Sequence, residues 1–260
     1  MVIDQKAAIL SDKRFETAYG RYIFSRQKEL ILDLVTPRKG ERVLGVDCGT
    51  GNYLKPFREK GCAVTGIDSS AEMLKIAREK LGAGTELIPC KSDDLPFSDN
   101  EFDIVTLITS LELSCNPQRA LAEAIRVCRD RVFIGFLNNY CLAGTQQRLK
   151  KLFGLPLNSN IRFFSHNEIK SMVNSLISSP SISWGSVIYF PASLYDIFSE
   201  LDDLLPLRKN PFGAFAGLMF PVKYTYRTVQ SPIMESYKLT ADSRRTAPDA
   251  IRGMLKELNK

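Results

Sequence analysis

At 260 residues, 44% hydrophobic and 25% charged, the chain has the make-up of an ordinary soluble globular protein and the length for one α/β domain of about 200 residues with embellishments. No apolar run approaches the ~20 residues that span a bilayer. The opening stretch MVIDQKAAILSDKRF lacks the apolar segment of a signal peptide, so a cytoplasmic protein is expected. The net charge of +6 is spread out, with small clusters at Arg148, Lys150 and Lys151 and at Arg244 and Arg245. It reads as a solvated surface, and without interleaved aromatic and basic residues no nucleic-acid partner is expected.

Residues 1–30 look helical. Arg42–Asp47 is a short apolar strand, followed by a Gly-rich turn and a helix over Tyr53–Lys60 closed by Gly61. Ala63–Ile67 is a second strand. Ser69, three residues before Glu72, predicts a capping box opening a helix to Leu81 and Gly82. Thr85–Pro89 and Phe102–Ile108 are the third and fourth strands. Asn116 and Pro117 give an N-cap and a first-turn proline for a helix to about Cys128. Arg131–Leu137 is a fifth strand. Residues 138–164 are loop and short helix, and Ser165 with Glu168 is another capping box, for a helix to about Ile177. Ser181–Phe190 is a sixth strand and Gly213–Tyr226 contains a seventh. Pro191–Lys209 between them is an inserted helical segment, and the tail from about 231 is polar.

Alternating strands and helices with near-continuous apolar strands imply a doubly wound, mostly parallel α/β sheet. Ligands of such sheets bind at the carboxyl ends of the strands. The turn after the first strand, in VLGVDCGTGN, lies at such an end. Bare backbone N–H groups beside a helix start favour an anionic or hydrogen-bonding ligand. Asp68 ends the second strand 19 residues after Gly49, where a carboxylate can accept both hydroxyls of a ribose. The turn lacks the third glycine of G-x-G-x-x-G, which disfavours a dinucleotide. Six cysteines without a C-x-x-C pair, and the single His166, give no metal-ligand spacing, so no metal is expected. The cysteines are expected to be buried free thiols, and His166 an exposed residue at a helix start.

Four ordered segments carry a resemblance: VLGVDCGTG, VTGIDSSAEMLKIAREK, DDLPFSDNEFDIV and LITSLELSCNPQRALAEAIRV. Together they resemble class I S-adenosylmethionine-dependent methyltransferases of the "type 11" small-molecule kind. The LN-N-Y stretch at 137–140, SHNEI at 165–169 and FGAF at 212–215 resemble the closing part of the same domain. The resemblance implies a Rossmann-like methyltransferase fold with strand order 3-2-1-4-5-7-6 and the seventh strand antiparallel. It divides the chain into an N-terminal helical lid (1–40), a methyltransferase domain (41–230) with helical insertions near 138–164 and 191–210, and a tail (231–260). It also implies S-adenosylmethionine as cofactor. The matching positions are Asp47, Cys48, Gly49, Thr50 and Gly51 in the turn, Asp68 on the ribose, Ser69 and Met73 beside the adenosine, Ser92 and Asp93 in the adenine loop, and Ile108 and Thr109 at the reactive end.

Three positions depart from the pattern. The acid that family members carry at the end of the first strand is Gly45 here, and their first glycine is Asp47. Asp tolerates the turn's backbone better than most residues and can reach the cofactor ammonium, or it keeps an acid in the same place with no new role. Lys91 stands where an adenine-binding Asp is usual. Leu111-Glu112-Leu113 replaces the usual Leu-Glu-His, removing a histidine base. No catalytic residue can be named. Tyr19, Arg21, Tyr22, Glu112 and Tyr140 are pocket candidates by resemblance. FFSH at 163–166 and the apolar face of 191–207 are core or pocket wall, with core favoured. The expected activity is methyl transfer to a small-molecule or lipid-like acceptor. A nonenzymatic cofactor-binding or degenerate descendant of the same fold is the alternative. Neither the acceptor nor the oligomeric state is legible.

Overall fold

In a computed structural model of the chain, the structure describes residues 5–139, 162–189 and 207–222. All of them belong to one unit, Met1–Tyr224. The expected helical pieces within 140–161 and 190–206, the basic clusters, Tyr140, Cys141 and the tail lie outside the described residues.

Before the first strand come α1 (Gln5–Lys13), a 3-10 turn (Arg14–Glu16) and α2 (Ala18–Val35). Thr17 caps α2 by accepting the Gly20 N–H. The strands are β1 (Arg42–Val46), β2 (Ala63–Asp68), β3 (Glu86–Pro89), β4 (Phe102–Ile108), β5 (Cys128–Leu137), β6 (Ser183–Val187) and β7 (Phe215–Pro221). The remaining helices are α3 (Lys55–Glu59), α4 (Ala71–Leu81), α5 (Pro117–Val127) and α6 (His166–Leu176). The sheet runs β3-β2-β1-β4-β5-β7-β6. β3, β2, β1, β4 and β5 are parallel, and β7 is antiparallel to both β5 and β6. Fold class and strand order are those expected.

Two apolar layers flank the sheet. One joins α2, α3 and α4 to it through Leu30, Leu34, Phe57, Leu74 and Leu81. The other joins α5 and α6 through Leu121, Ala124, Ile169 and Val173. Every residue of β4 is buried, as a central parallel strand covered on both faces must be. Phe163 and Phe164 are core residues, as favoured for FFSH.

Several local expectations are corrected. The N-cap of α4 is Ser70, whose side chain accepts the Met73 N–H, and not Ser69. The strand β1 stops at Val46 because Asp47 turns into the left-handed region, with φ of +50°. Ile188, with φ of +68°, stands just past the end of β6. α5 runs straight into β5, which starts at Cys128 and not at Arg131. Cys62 and Cys128 are buried thiols as expected, but Cys48 and Cys90 are half-buried and Cys115 is exposed. Asn116 caps α5 by accepting the Arg119 N–H, and Ser165 and Glu168 form the full reciprocal box on α6.

His166 is not an exposed helix-start residue. It wedges between Phe136 and Trp184, with ring centroids 5.3 and 4.7 Å away. Burial, with Lys170 adding to it, pulls its pKa down to about 4. It is neutral at physiological pH and packs as an aromatic ring.

Candidate cofactor site

Parallel order places the ends of β3, β2, β1 and β4 in a row, and the sequence candidates gather there. The Cys48 N–H donates to the Ile67 carbonyl at 2.8 Å, which ties the turn to β2. Asp68 is buried, and its two carboxylate oxygens accept the Gly49 N–H and the Ser70 N–H, each at 2.8 Å. One side chain therefore sets both the glycine turn and the start of α4. Burial pushes its carboxyl above the usual range, against these two bonds. Each oxygen keeps a lone pair for a further donor.

The two turn glycines do different work. Gly49 has φ of +55°, and a Cβ built on it meets nothing within 4 Å. It borders open space. Gly51 has φ of +78°, and a Cβ there would lie 2.9 Å from Leu81 Cδ1 and 3.2 Å from the Ala77 Cβ. It lets α4 pack on the turn. Gly45 is small for a third reason: its Cβ would sit 2.8 Å from Leu54 Cδ2. Leu54 fills the room a side chain at position 45 needs, so an acid could not stand there without displacing it.

Asp47 lies past the end of β1, in the turn, and so does not hold the strand position that an acid at 45 would take. Its carboxylate turns along the strand ends, accepting a hydrogen bond from the Ser110 hydroxyl and another from Ser92. Burial, helped by the neighbouring Asp68 and Asp93, pushes its pKa up to about 6 against these bonds. Among the described residues, no Lys or Arg forms an ion pair with Asp47, Asp68 or Asp93. A small, partly open hollow is lined by Gly45, Asp47, Cys48, Tyr53, Leu54, Thr106 and Ile108, among others.

Of the remaining candidates, Met73, Ser92 and Ile108 are buried, Asp93 and Thr109 are half-buried, and Ser69 is exposed. Thr109 is left-handed, with φ of +54°. Thr50 is turned away from the open side of the turn, with its hydroxyl donating to Asp12 at 2.8 Å. Glu112 is buried behind the end of β4. It is 4% exposed, and Oε1 accepts the Leu137 N–H at 2.6 Å, pinning the end of β4 to β5. Its Oε2 is buried without a partner among the described residues, and burial pushes the carboxyl up to about 7. The Arg21 guanidinium donates to the Glu16 carbonyl, while Tyr19 and Tyr22 pack against the core. Sequence inspection missed Ser110 and Asp12. No local pattern marks either, since their partners are 63 and 38 residues away.

Residues 44–134 match the model of a methyltransferase domain family, and this segment holds the turn, Asp68, the adenine-loop positions and the end of β4. That segment is similar to the methyltransferase domain family, in keeping with the resemblance to class I S-adenosylmethionine-dependent methyltransferases. The chain is 36% identical over 104 residues to a demethylmenaquinone methyltransferase of Renibacterium salmoninarum, covering 40% of this chain and 44% of that protein. It is 38% identical over 107 residues to a phosphatidylethanolamine N-methyltransferase of Cereibacter sphaeroides, covering 39% and 52%. The chain thus spans about half the length of these relatives. A crystal structure of a methyltransferase from Thermotoga maritima shares the fold, with a TM-score of 0.60 at 22% identity over 82% of this chain and 98% of the other.

The family's cofactor, S-adenosylmethionine, is a cation at its sulfonium and carries an ammonium, a carboxylate and a ribose. The site fits such a group on three observations. Gly49 leaves open space at the turn, Asp68 keeps accepting capacity at the end of β2, and three carboxylates have no cationic partner among the described residues. No helix among the described residues is long and apolar enough to cross a membrane, and no cluster of potential metal ligands occurs among them.

Proposed function

We propose that the chain is an S-adenosylmethionine-dependent methyltransferase acting on a small-molecule or lipid-like acceptor. The observation that carries this is the juxtaposition, at the ends of β1 and β2, of an open glycine turn with a buried carboxylate that already organises that turn. Gly49 and the neighbouring backbone take the methionine end, with Asp47 near its ammonium. Asp68 accepts the ribose hydroxyls. Met73, Ser69, Ser92 and Asp93 border the adenosine, and Ile108 and Thr109 border the reacting methyl. When bound, the cofactor supplies an electrophilic methyl on a sulfonium that leaves as a neutral thioether, so the leaving group needs no acid. The protein's contribution is alignment and exclusion of water.

An apolar acceptor is supported by the rim. Leu113, after β4, is 48% exposed, and Phe212, before β7, is 50% exposed. Both stand beyond the strand ends that carry the turn. The two relatives named above are, by name, enzymes of a quinone and of a phospholipid. Cytoplasmic placement belongs to the same proposal, supported by the buried free thiols Cys62 and Cys128.

Calorimetric titration with S-adenosylmethionine, S-adenosylhomocysteine and NAD tests the assignment. The first two should bind and NAD should not. Asp68→Ala should weaken S-adenosylhomocysteine by about 1.5–3 kcal/mol, the scale of a charge-assisted hydrogen bond. Transfer of labelled methyl to quinol, phospholipid or small amine acceptors then identifies the acceptor class. A second reading, a cofactor-binding protein without turnover, draws on Lys91, which cannot accept the adenine amino group. Binding without methyl transfer to any acceptor would favour it.

A further inference from the structure

The glycine turn is also gripped from outside. Asp12, in the last turn of α1, accepts the Thr50 hydroxyl at 2.8 Å and the Asn52 amide at 3.1 Å, and pairs with the Lys80 ammonium. Asn52 Nδ2 donates further to Thr50 Oγ1 at 3.0 Å, and Lys80 Nζ to Asn52 Oδ1 at 2.9 Å. Three elements distant in sequence, α1, the turn and α4, converge on this carboxylate. The side chains of Lys80 and Asp12 are 26% and 19% exposed, so solvent screens the pair only partly. The three hydrogen bonds outweigh burial and hold the Asp12 carboxyl below its ordinary range.

Among its described side chains, the rest of α1 has few other anchors. It is nine residues long, too short to be stable alone. Ala8 is its buried apolar residue among those described, while Ile9 and Leu10 are 40% and 72% exposed. Its C-terminal end runs into Phe15, which packs edge-on against Phe24 at 5.4 Å and Tyr53 at 6.1 Å. Tyr53 in turn donates to Gln27 Oε1 at 2.7 Å. The anchor at Phe15 and the clasp at Asp12 make α1 a strap hinged at Arg14–Glu16 and closed on the residues that flank Gly51.

We propose that Asp12 is a positioning residue for the cofactor turn, coupling the seating of α1 to retention of the cofactor. This rests on the turn being the cofactor site. Asp12 touches no reacting atom. It fixes Thr50 and Asn52, and through them the backbone around Gly49 and Gly51. By linkage, whatever favours the seated strap favours the ligand, and the ligand favours the seated strap by the same factor.

The test uses the full chain, with wild type, Asp12→Asn, Asp12→Ala and Lys80→Met. Two quantities are read: the dissociation rate of S-adenosylhomocysteine by stopped flow, and trypsin cleavage after the exposed Lys13 with and without that ligand. In wild type, saturating ligand should slow cleavage at Lys13 at least fivefold. Asp12→Ala should release ligand at least tenfold faster and lose the protection. Asp12→Asn and Lys80→Met, which keep part of the network, should fall between. If Asp12→Ala fails to fold by circular dichroism, those two variants carry the comparison. Faster cleavage with an unchanged dissociation rate would make Asp12 a helix anchor and overturn the coupling, as would wild-type cleavage indifferent to ligand. A wild type that binds neither S-adenosylmethionine nor S-adenosylhomocysteine overturns the assignment of the turn itself, and the strap with it.

Discussion

Asp47 is where this chain departs most from the methyltransferase pattern it resembles, and its chemistry can be read by charge alone. Asp47→Asn keeps the shape and can still accept from Ser110. If the carboxylate pairs with the cofactor ammonium, the variant loses about 1–3 kcal/mol of S-adenosylmethionine affinity, and an analogue lacking the amino group binds both proteins equally. On that pairing it is the ionised form that binds the cation. With a pKa of about 6, wild-type affinity should therefore fall as pH drops through 6, while the Asn variant stays flat. Equal affinities at pH 8 would leave Asp47 a turn residue. Glu112 is a separate case of a buried acid. Its folded pKa, about 7, exceeds the ordinary 4.5, so the folded state binds the extra proton and stability declines as pH rises from about 4.5 to 7. Glu112→Gln should match wild type near pH 4 and exceed it by up to about 3 kcal/mol at pH 8, measured by urea unfolding at both pH values.

At the scale of the element, the turn separates two kinds of glycine. Alanine at either position bears the left-handed strain of about 1–2 kcal/mol. At position 49 the added methyl meets no protein atom, so stability falls by that amount while ligand affinity drops sharply. At position 51 it strikes Leu81 and Ala77, adding about 1–3 kcal/mol of overpacking. Thermal unfolding and calorimetry on Gly49→Ala and Gly51→Ala distinguish the two. The turn, its flanking strands and the caps at Asn116 and Ser165 were legible because each is written in adjacent residues. Ser69 and Ser70 could not be told apart, since either can precede an apolar helical pattern, and the Asp68 carboxylate favours the second by accepting its N–H. The contact from Asp12 to Lys80 spans 68 residues and joins two helices that no sequence periodicity relates. The half-buried state of His166 was hidden because it depends on Trp184, on a strand that folds back beside α6.

Across the whole molecule, a stabilising clamp and the proposed cofactor turn stand at opposite ends of the sheet. Arg131 is buried on β5, donates to the Val35 carbonyl at 2.8 Å and pairs with both Glu41 oxygens at 3.1 and 2.8 Å. This clamps the end of α2 to the residues just before β1, far from the strand ends that carry the turn. Glu41→Ala leaves a buried guanidinium short of its main partner. The cost should be about 2–3 kcal/mol, below that of breaking a fully buried pair, because Val35 and Asp130 remain. Affinity of the folded fraction for S-adenosylhomocysteine should not change.

The place of β7 between β5 and β6 also orders events on the ribosome. The strands β1 to β5 can pair as they emerge, because each finds its neighbour among those already made. β6 cannot, since its sheet partner is β7 alone. Between synthesis of Val187 and Pro221, the two edges that β7 will fill, one on β5 and one on β6, stand open. At about 5–20 residues per second this lasts roughly 2–7 s. For that interval the half of the sheet that carries the glycine turn can already be shaped while its far edge is still open to a chaperone, or to another nascent copy.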